Sequence, residues 1–213
     1  MKLYVFPPSH NARKPLIAKD LLGLDLETEL LDLTQGGTHT PEYTALNPNE
    51  LMPTLVDGDF VLWESNAISQ YLCDQVEGQT LLPTDARGRA DVTRWQLWET
   101  AHWQPACATL LFQNMVKGLL GDTSGPDPDI VADGTERVHR FAKVANTALE
   151  GREWLVGDGL TLADISVGVF LTYQEMAKLP LGDYAELQRL HGQLLELDAW
   201  QAALPQIPAP AAS

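Results

Sequence analysis

The chain has 213 residues, 45% hydrophobic and 20% charged, with 29 acidic against 14 basic residues and a net charge of −15. That length can bury a sizeable core as one domain or two small ones, and the apolar content is that of a folded protein rather than a disordered one. So large an excess of carboxylates argues against nucleic acid and anionic membrane surfaces, both of which call for clustered Lys and Arg.

The N-terminal stretch MKLYVFPPSH has neither the apolar core nor the cleavage site of a signal peptide, and no later run approaches the roughly 20 apolar residues that span a bilayer. LYVF (3–6), stopped by Pro7 and Pro8, reads as a buried strand. Helical spacing of Leu16, Ile17, Leu21 and Leu22, closed by Gly23, predicts a helix over 11–22. LETELLDL (26–33) reads as a second strand. A polar connection follows, with one helical turn at 41–45. TLVDGDFVLW (54–63) is a hairpin, its two strand-like runs flanking Asp57 and Gly58, a pair suited to a tight turn. ESNAISQYLCDQ is helical, with Ser65 near its N-cap. Strand, helix, strand, loop, hairpin and helix within about eighty residues make a small mixed sheet with helices, an α/β unit over 1–79.

The stretch 80–88 reads as a linker, and beyond it there is no strand signal. Residues 89–120 form one long helix candidate that Pro105 should bend. Further helices are expected over 126–151, 160–179 and 184–204, giving an all-helical unit over 89–205 and a flexible tail over 206–213. One helix start is well marked: Thr161 and Asp164 form a capping box, worth of order 1 kcal/mol to folding. Cys73 and Cys107 have no disulfide-framework or metal spacing and are expected to pack as small apolar residues; a reducing, cytoplasmic compartment and no metal follow.

Three places could carry chemistry. A cis Met52–Pro53 bond would turn the backbone of Met52 outward to pair with an extended ligand, although local sequence alone favours an ordinary trans proline. Glu64 and Ser65 at a helix N-terminus suit the two charges of an α-amino acid, ammonium against Glu64 and carboxylate against Ser65 and the free N–H groups; locally a plain cap is the simpler reading. Ser9 follows the first strand. It has no base to make it a nucleophile, with His10 adjacent in sequence, but it can donate a hydrogen bond to a thiolate and lower that group's pKa. Asn11 could assist and Arg13 adds positive charge; the competing role of Ser9 is to cap the first helix.

Taken together, NPNELMPTLVDGDFVLWESNAISQYL resembles the glutathione-binding segment of the cytosolic glutathione transferases. The likeness extends over almost the whole chain, through LYVFPPSHNARK, the linker, the helical half and GDGLTLADISVG, with a bacterial, theta-like flavour given by a Ser after the first strand. It implies a thioredoxin-like N-terminal domain, an all-α C-terminal domain, glutathione as co-substrate and a two-fold homodimer. It further implies that Pro53 is the cis-proline, that Met52 bonds the cysteinyl part of glutathione, that Glu64 and Ser65 hold its γ-glutamyl end, and that Ser9 activates the thiol. There are departures: related sequences usually read NPNGKVPTL, whereas Glu50 and Leu51 stand here, and a Lys that commonly meets the glycyl carboxylate is missing. His39 lies in the loop that often supplies another contact to that carboxylate.

A second, hydrophobic electrophile should meet the helical half. Trp95, Trp98, Glu99, His102, Trp103 and Ala106 recur at helical spacing; such a stripe is more often core or dimer contact than a ligand wall, but His102, Trp103 and Leu110 are candidates to line an apolar pocket. The function this implies is conjugation of ionised glutathione to an electrophile. The alternatives are a glutathione-dependent disulfide oxidoreductase, since Ser9-x-Asn11 resembles the Thr-x-Asn of bacterial relatives with that activity, and a transferase-like binding module without activity.

Overall fold

The computed structural model describes residues 1–33 and 36–205; the expected tail over 206–213 lies outside them. Alternation sets the first strand, β1 (Lys2–Val5), which turns Leu3 and Val5 into the core. After Pro7 and Pro8 the chain enters α1 (His10–Leu21), then β2 (Glu27–Leu30), shorter than the expected 26–33. α2 (Pro41–Leu46) has Pro41 in its first turn, and the Thr40 side chain accepts from the Tyr43 N–H. β3 (Thr54–Asp57), β4 (Phe60–Trp63) and α3 (Ser65–Asp74) complete this part.

The sheet order is β2-β1-β3-β4, with β1 parallel to β2 and the other two pairs antiparallel. Asp57 pairs with Phe60, so the hairpin turns on Gly58 and Asp59, one residue later than expected. Gly58, at φ +61°, takes the left-handed position. Asp57 instead accepts a hydrogen bond from the Tyr71 hydroxyl at 2.7 Å. Leu3, Val5, Ala12, Leu26, Leu55, Ile68 and Leu72 form the core.

By internal contacts the chain divides into two units: residues 1–82 with the described residues from 197 on, and residues 83–196. The second unit holds no strand among its described residues. α4 (Ala86–Trp98) starts inside the expected linker, because the Asp85 carboxylate accepts from the N–H groups of Arg87 and Gly88. One helical path then runs on through a π-helical turn (Glu99–Trp103), α5 (Gln104–Leu111), a second π-helical turn (Phe112–Val116) and α6 (Lys117–Leu119). Pro105 lacks the N–H that an α-helix needs, and the π-helical turn just before it is where the ladder re-spaces.

α7 (Pro128–Leu149) packs on α5, and Gly134 lies where an added Cβ would stand 2.9 Å from Leu110 Cδ2. α8 (Leu162–Gly168) is wholly buried and opens on the capping box: Asp164 accepts from the Thr161 N–H and hydroxyl, both at 2.9 Å, and from the Leu155 N–H at 2.8 Å. A 3₁₀ turn (Val169–Tyr173) and α9 (Gln174–Ala177) follow, so the single helix expected over 160–179 is broken.

α10 (Ala185–Leu195) and α11 (Asp198–Ala202) replace the helix expected over 184–204. α11 belongs with the strands rather than with the helices before it. Arg13 of α1 donates from Nε to the Ala203 carbonyl at 2.6 Å, and its guanidinium lies 5.0 Å from the Trp200 ring, with both side chains fully buried. No helix among the described residues is long and apolar enough to cross a membrane.

Candidate functional site

A small cleft lies in the first unit. Asn11 reaches it from α1; Asn47, Asn49, Leu51, Met52 and Pro53 come from the segment after α2; Trp63, Glu64 and Ser65 come from the passage between β4 and α3. Five of the residues read from sequence as ligand contacts, Asn11, Met52, Pro53, Glu64 and Ser65, therefore share one cleft. Ser9 and His39 are not among its lining residues.

The Met52–Pro53 bond is cis. The segment before it is pinned from behind. Tyr43 donates its hydroxyl hydrogen to the Leu51 carbonyl at 2.6 Å, Asn47 donates to the same carbonyl at 2.7 Å, and both meet the Thr54 hydroxyl, at 2.8 and 3.0 Å. Asn49 donates to the Asn47 side-chain oxygen through both its backbone and its side chain, each at 3.0 Å. Tyr43, Asn47 and Thr54 are buried and were missed in the sequence. No local signal marks them, since polar residues beside a proline are the ordinary composition of a loop. Such a network fixes the Leu51 carbonyl, and hence the backbone of Met52, with no help from a ligand.

At the other edge, Glu64 is the N-cap of α3 and adopts φ +75°, a conformation that non-glycine residues seldom take. Its carboxylate makes no cap bond, and Ser65 is the first helical residue. The helix N-terminus and the Ser65 hydroxyl favour an anion; the adjacent Glu64 carboxylate favours a cation. The Ser65 hydroxyl is within 3.5 Å of Asn11 Oδ1, which also accepts from Lys14 Nζ at 3.2 Å. Asn11 Oδ1 thus links the Ser65 hydroxyl to the Lys14 ammonium at this edge of the cleft.

Ser9 is the N-cap of α1 by backbone, but its side chain makes no cap hydrogen bond, so the hydroxyl is not spent on the helix. His10 is no base for it: burial, and then the charges of Lys14 and Arg13, push its pKa down to about 3. Arg13 does not supply charge to the cleft as expected, since it anchors α11; Lys14, 1% exposed and behind Asn11, stands in that place. His39 is held elsewhere, its Nδ1 2.8 Å from Glu50 Oε2.

In the helical unit the expectation of a pocket at His102, Trp103 and Leu110 is corrected. Trp103 is a core residue whose indole N–H donates to the Val167 carbonyl at 3.0 Å, and Leu110 is buried as well. Only His102 is exposed, stacked on Phe141 at 5.2 Å. The open apolar groove of this unit is lined instead by Arg94, Trp95, Trp98, Val144 and Ala148. Cys73 and Cys107 are buried, and burial followed by the charge of Glu99 pushes the Cys107 thiol well up, leaving it unreactive. Among the described residues no cluster of His, Cys, Asp and Glu could hold a metal ion.

Residues 1–74 match the family model described as glutathione S-transferase, N-terminal domain, and residues 115–198 match that of the C-terminal domain. A curated relative, glutathione S-transferase 3 of Zea mays, is 38% identical over 166 residues, 77% of this chain and 73% of the relative. A glutathione S-transferase III solved in apo form superposes with TM-score 0.83 at 33% identity, covering 100% of this chain and 99% of that one. A glutathione transferase from Pseudomonas putida, solved with one glutathione disulfide bound per subunit, gives TM-score 0.85 at 25% identity, covering 98% of this chain and 91% of that one. With both domain models matched, the chain belongs to the glutathione S-transferase family, its first unit the thioredoxin-like α/β domain and its second the helical domain.

Proposed function

We propose that the protein is a glutathione transferase that binds glutathione along the first unit's cleft, ionises its thiol beside Ser9 and conjugates it to a hydrophobic electrophile. The observation that carries this reading is the meeting of the cis Met52–Pro53 bond, the Glu64–Ser65 pair at the start of α3 and Asn11 in one cleft. Glu64 takes the α-ammonium of the γ-glutamyl end; Ser65 and the first turn of α3 take its α-carboxylate. The backbone of Met52 pairs with the cysteinyl part as an added strand does.

Ser9 donates to the sulfur, and Lys14 behind Asn11 adds positive charge. Both favour the charged form of the thiol. A fall of two units from the reference of about 8.5 corresponds to about 2.7 kcal/mol and turns a thiol that is a few per cent ionised at pH 7 into one mostly ionised. The thiol proton leaves to solvent. The sulfur then forms a bond to the electrophilic carbon as the leaving group departs with its electron pair.

Replacing Ser9 with Ala should lower kcat/KM for an aryl halide by about 10- to 100-fold, with little change in the dissociation constant of glutathione. Unchanged turnover in that variant would remove Ser9 from the mechanism. Turnover of a glutathionylated disulfide with none of the aryl halide would move the reaction to disulfide exchange. The reading further places the protein in the cytoplasm as a two-fold homodimer, for which the apolar groove of Trp95, Trp98 and Val144 is a suitable contact. Light scattering should then give twice the 23.4 kDa chain mass.

A further inference from the structure

Glutathione carries charge at both ends near neutral pH: an ammonium and a carboxylate at the γ-glutamyl end, and a second carboxylate at the glycyl end. The cleft provides for the first of these. The residues lining it include no Lys, Arg or His, and their one formal charge is the carboxylate of Glu64. Lys14 stands behind Asn11, donating to its Oδ1, and that same oxygen lies within hydrogen-bond range of the Ser65 hydroxyl, so this positive charge belongs to the γ-glutamyl end.

The Asn47–Leu51 side of Met52 is built differently. Both amide hydrogens of Asn47 are committed, to the Leu51 carbonyl and the Thr54 hydroxyl, and the Asn49 side chain donates to Asn47. Leu51 is 66% exposed and offers only apolar surface. Between Asn49 and Leu51 stands Glu50, at φ +56°, a left-handed conformation that a glycine would take without strain and a glutamate does not. Glu50 Oε2 lies 2.8 Å from His39 Nδ1, so the imidazole of this loop already faces a carboxylate of the protein. Glu50 and His39 do not themselves line the cleft, but Glu50 stands in sequence between Asn49 and Leu51, which do, so a carboxylate arriving at this edge approaches the charge of Glu50 and finds His39 already engaged. The other basic residues of the unit are bound away from this edge: Lys2 to Glu27 and Glu29, Lys19 to Asp20, and Arg13 to α11. Thr34, Gln35 and residues 206–213, outside the described part, include no basic side chain.

We infer that this cleft selects γ-glutamyl-cysteinyl thiols whose far end is uncharged over those ending in a carboxylate, and that Glu50, with His39 as its partner, is the residue that sets the selection. An amide or other neutral terminus loses nothing to Glu50 and rests on Leu51. The inference depends on the glutathione reading of the cleft and specifies which end of the ligand that cleft discriminates.

The test is a calorimetric comparison of glutathione with its C-terminal amide, on the full chain and on two variants. In the unaltered protein the amide should bind more tightly, by about three- to fivefold for an exposed charge pair. Glu50→Gln, which keeps the backbone demand but removes the charge, should strengthen glutathione binding by a similar factor and leave the amide within about twofold. Glu50→Gly, which also relieves the left-handed strain, should do the same and guards against a folding defect in the first variant. Tighter binding of glutathione than of the amide, with a ratio unchanged in both variants, would overturn the selection while leaving the cleft a glutathione site. Failure of both thiols to bind at millimolar concentration would overturn the glutathione reading and the selection with it.

Discussion

The strand-containing unit and the helical unit both bury polar side chains, but spend them differently. In the first, Tyr43 and Asn47 both donate to one carbonyl, that of Leu51, and both meet the Thr54 hydroxyl, which together fixes one edge of the cleft. In the second, Asp164 gathers two N–H groups and a hydroxyl to start a helix that no solvent reaches. The hydrogen bonds are alike in length, yet one set fixes the rim of a cleft and the other the start of a buried helix. The titratable groups differ in the same way. His10 in the first unit is kept neutral by burial, with its pKa pushed down to about 3, whereas burial pushes the Asp164 carboxyl up to about 6 against the three bonds that favour its charge.

The largest expected effect separates the units by pH. Below the reference pKa of His, about 6.5, the unfolded chain takes up a proton that folded His10 refuses. Stability is therefore lost as pH falls from about 6.5 toward 3, by up to about 1.4 kcal/mol per unit. Asp164 works in the opposite sense: its folded pKa is raised, so its contribution is full below about 3.8 and is lost as pH rises through about 6. Between pH 6 and 4 the two oppose each other. Urea titrations of His10→Gln should accordingly show far less acid destabilisation than the unaltered protein over that window, and an unchanged pH slope would contradict the burial of a neutral His10.

Next in size, Asp164→Ala should cost about 3 kcal/mol at pH 7, because it strands donors that are already buried. Glutathione affinity per folded molecule should hardly move. Asn47→Ala should show the converse pattern: about 1–2 kcal/mol in urea, but a loss of glutathione affinity of roughly tenfold, since a small displacement of a binding edge is amplified. If both variants lost stability and affinity in proportion, the contrast between the units would collapse. The smallest effect belongs to Gly134→Ala. Its new Cβ meets the flexible end of Leu110, so about 1 kcal/mol of stability should go, with conjugation rates unchanged.

What could be read in advance follows from how local each signal is. The hairpin, the Glu64–Ser65 helix start and the Thr161–Asp164 box are each written within a few adjacent residues, and the structure departs from those readings only in placing the turn at Gly58 and Asp59. Met52–Pro53 lay between: local sequence favoured trans, and only the resemblance of the longer segment pointed to the cis bond that is present. The Tyr43–Asn47–Thr54 network could not be read, because three polar residues at unrelated spacings reveal nothing until the loop brings them together. Arg13 was misread for the same reason: its partners, Trp200 and Ala203, lie almost the whole chain away. Trp103 and Leu110 share a helical stripe with exposed residues, and spacing alone does not say which side of that stripe the other helices cover.

The central claim is that this cleft binds glutathione and ionises its thiol through Ser9. The most direct test is an ultraviolet titration of thiolate absorbance, with glutathione added to the protein across pH 5 to 9. The bound thiol should titrate one to two units below the free value of about 8.5, and Ser9→Ala should return it to near that value. No thiolate signal at saturating glutathione, or a lowered pKa that survives in Ser9→Ala, would contradict the account.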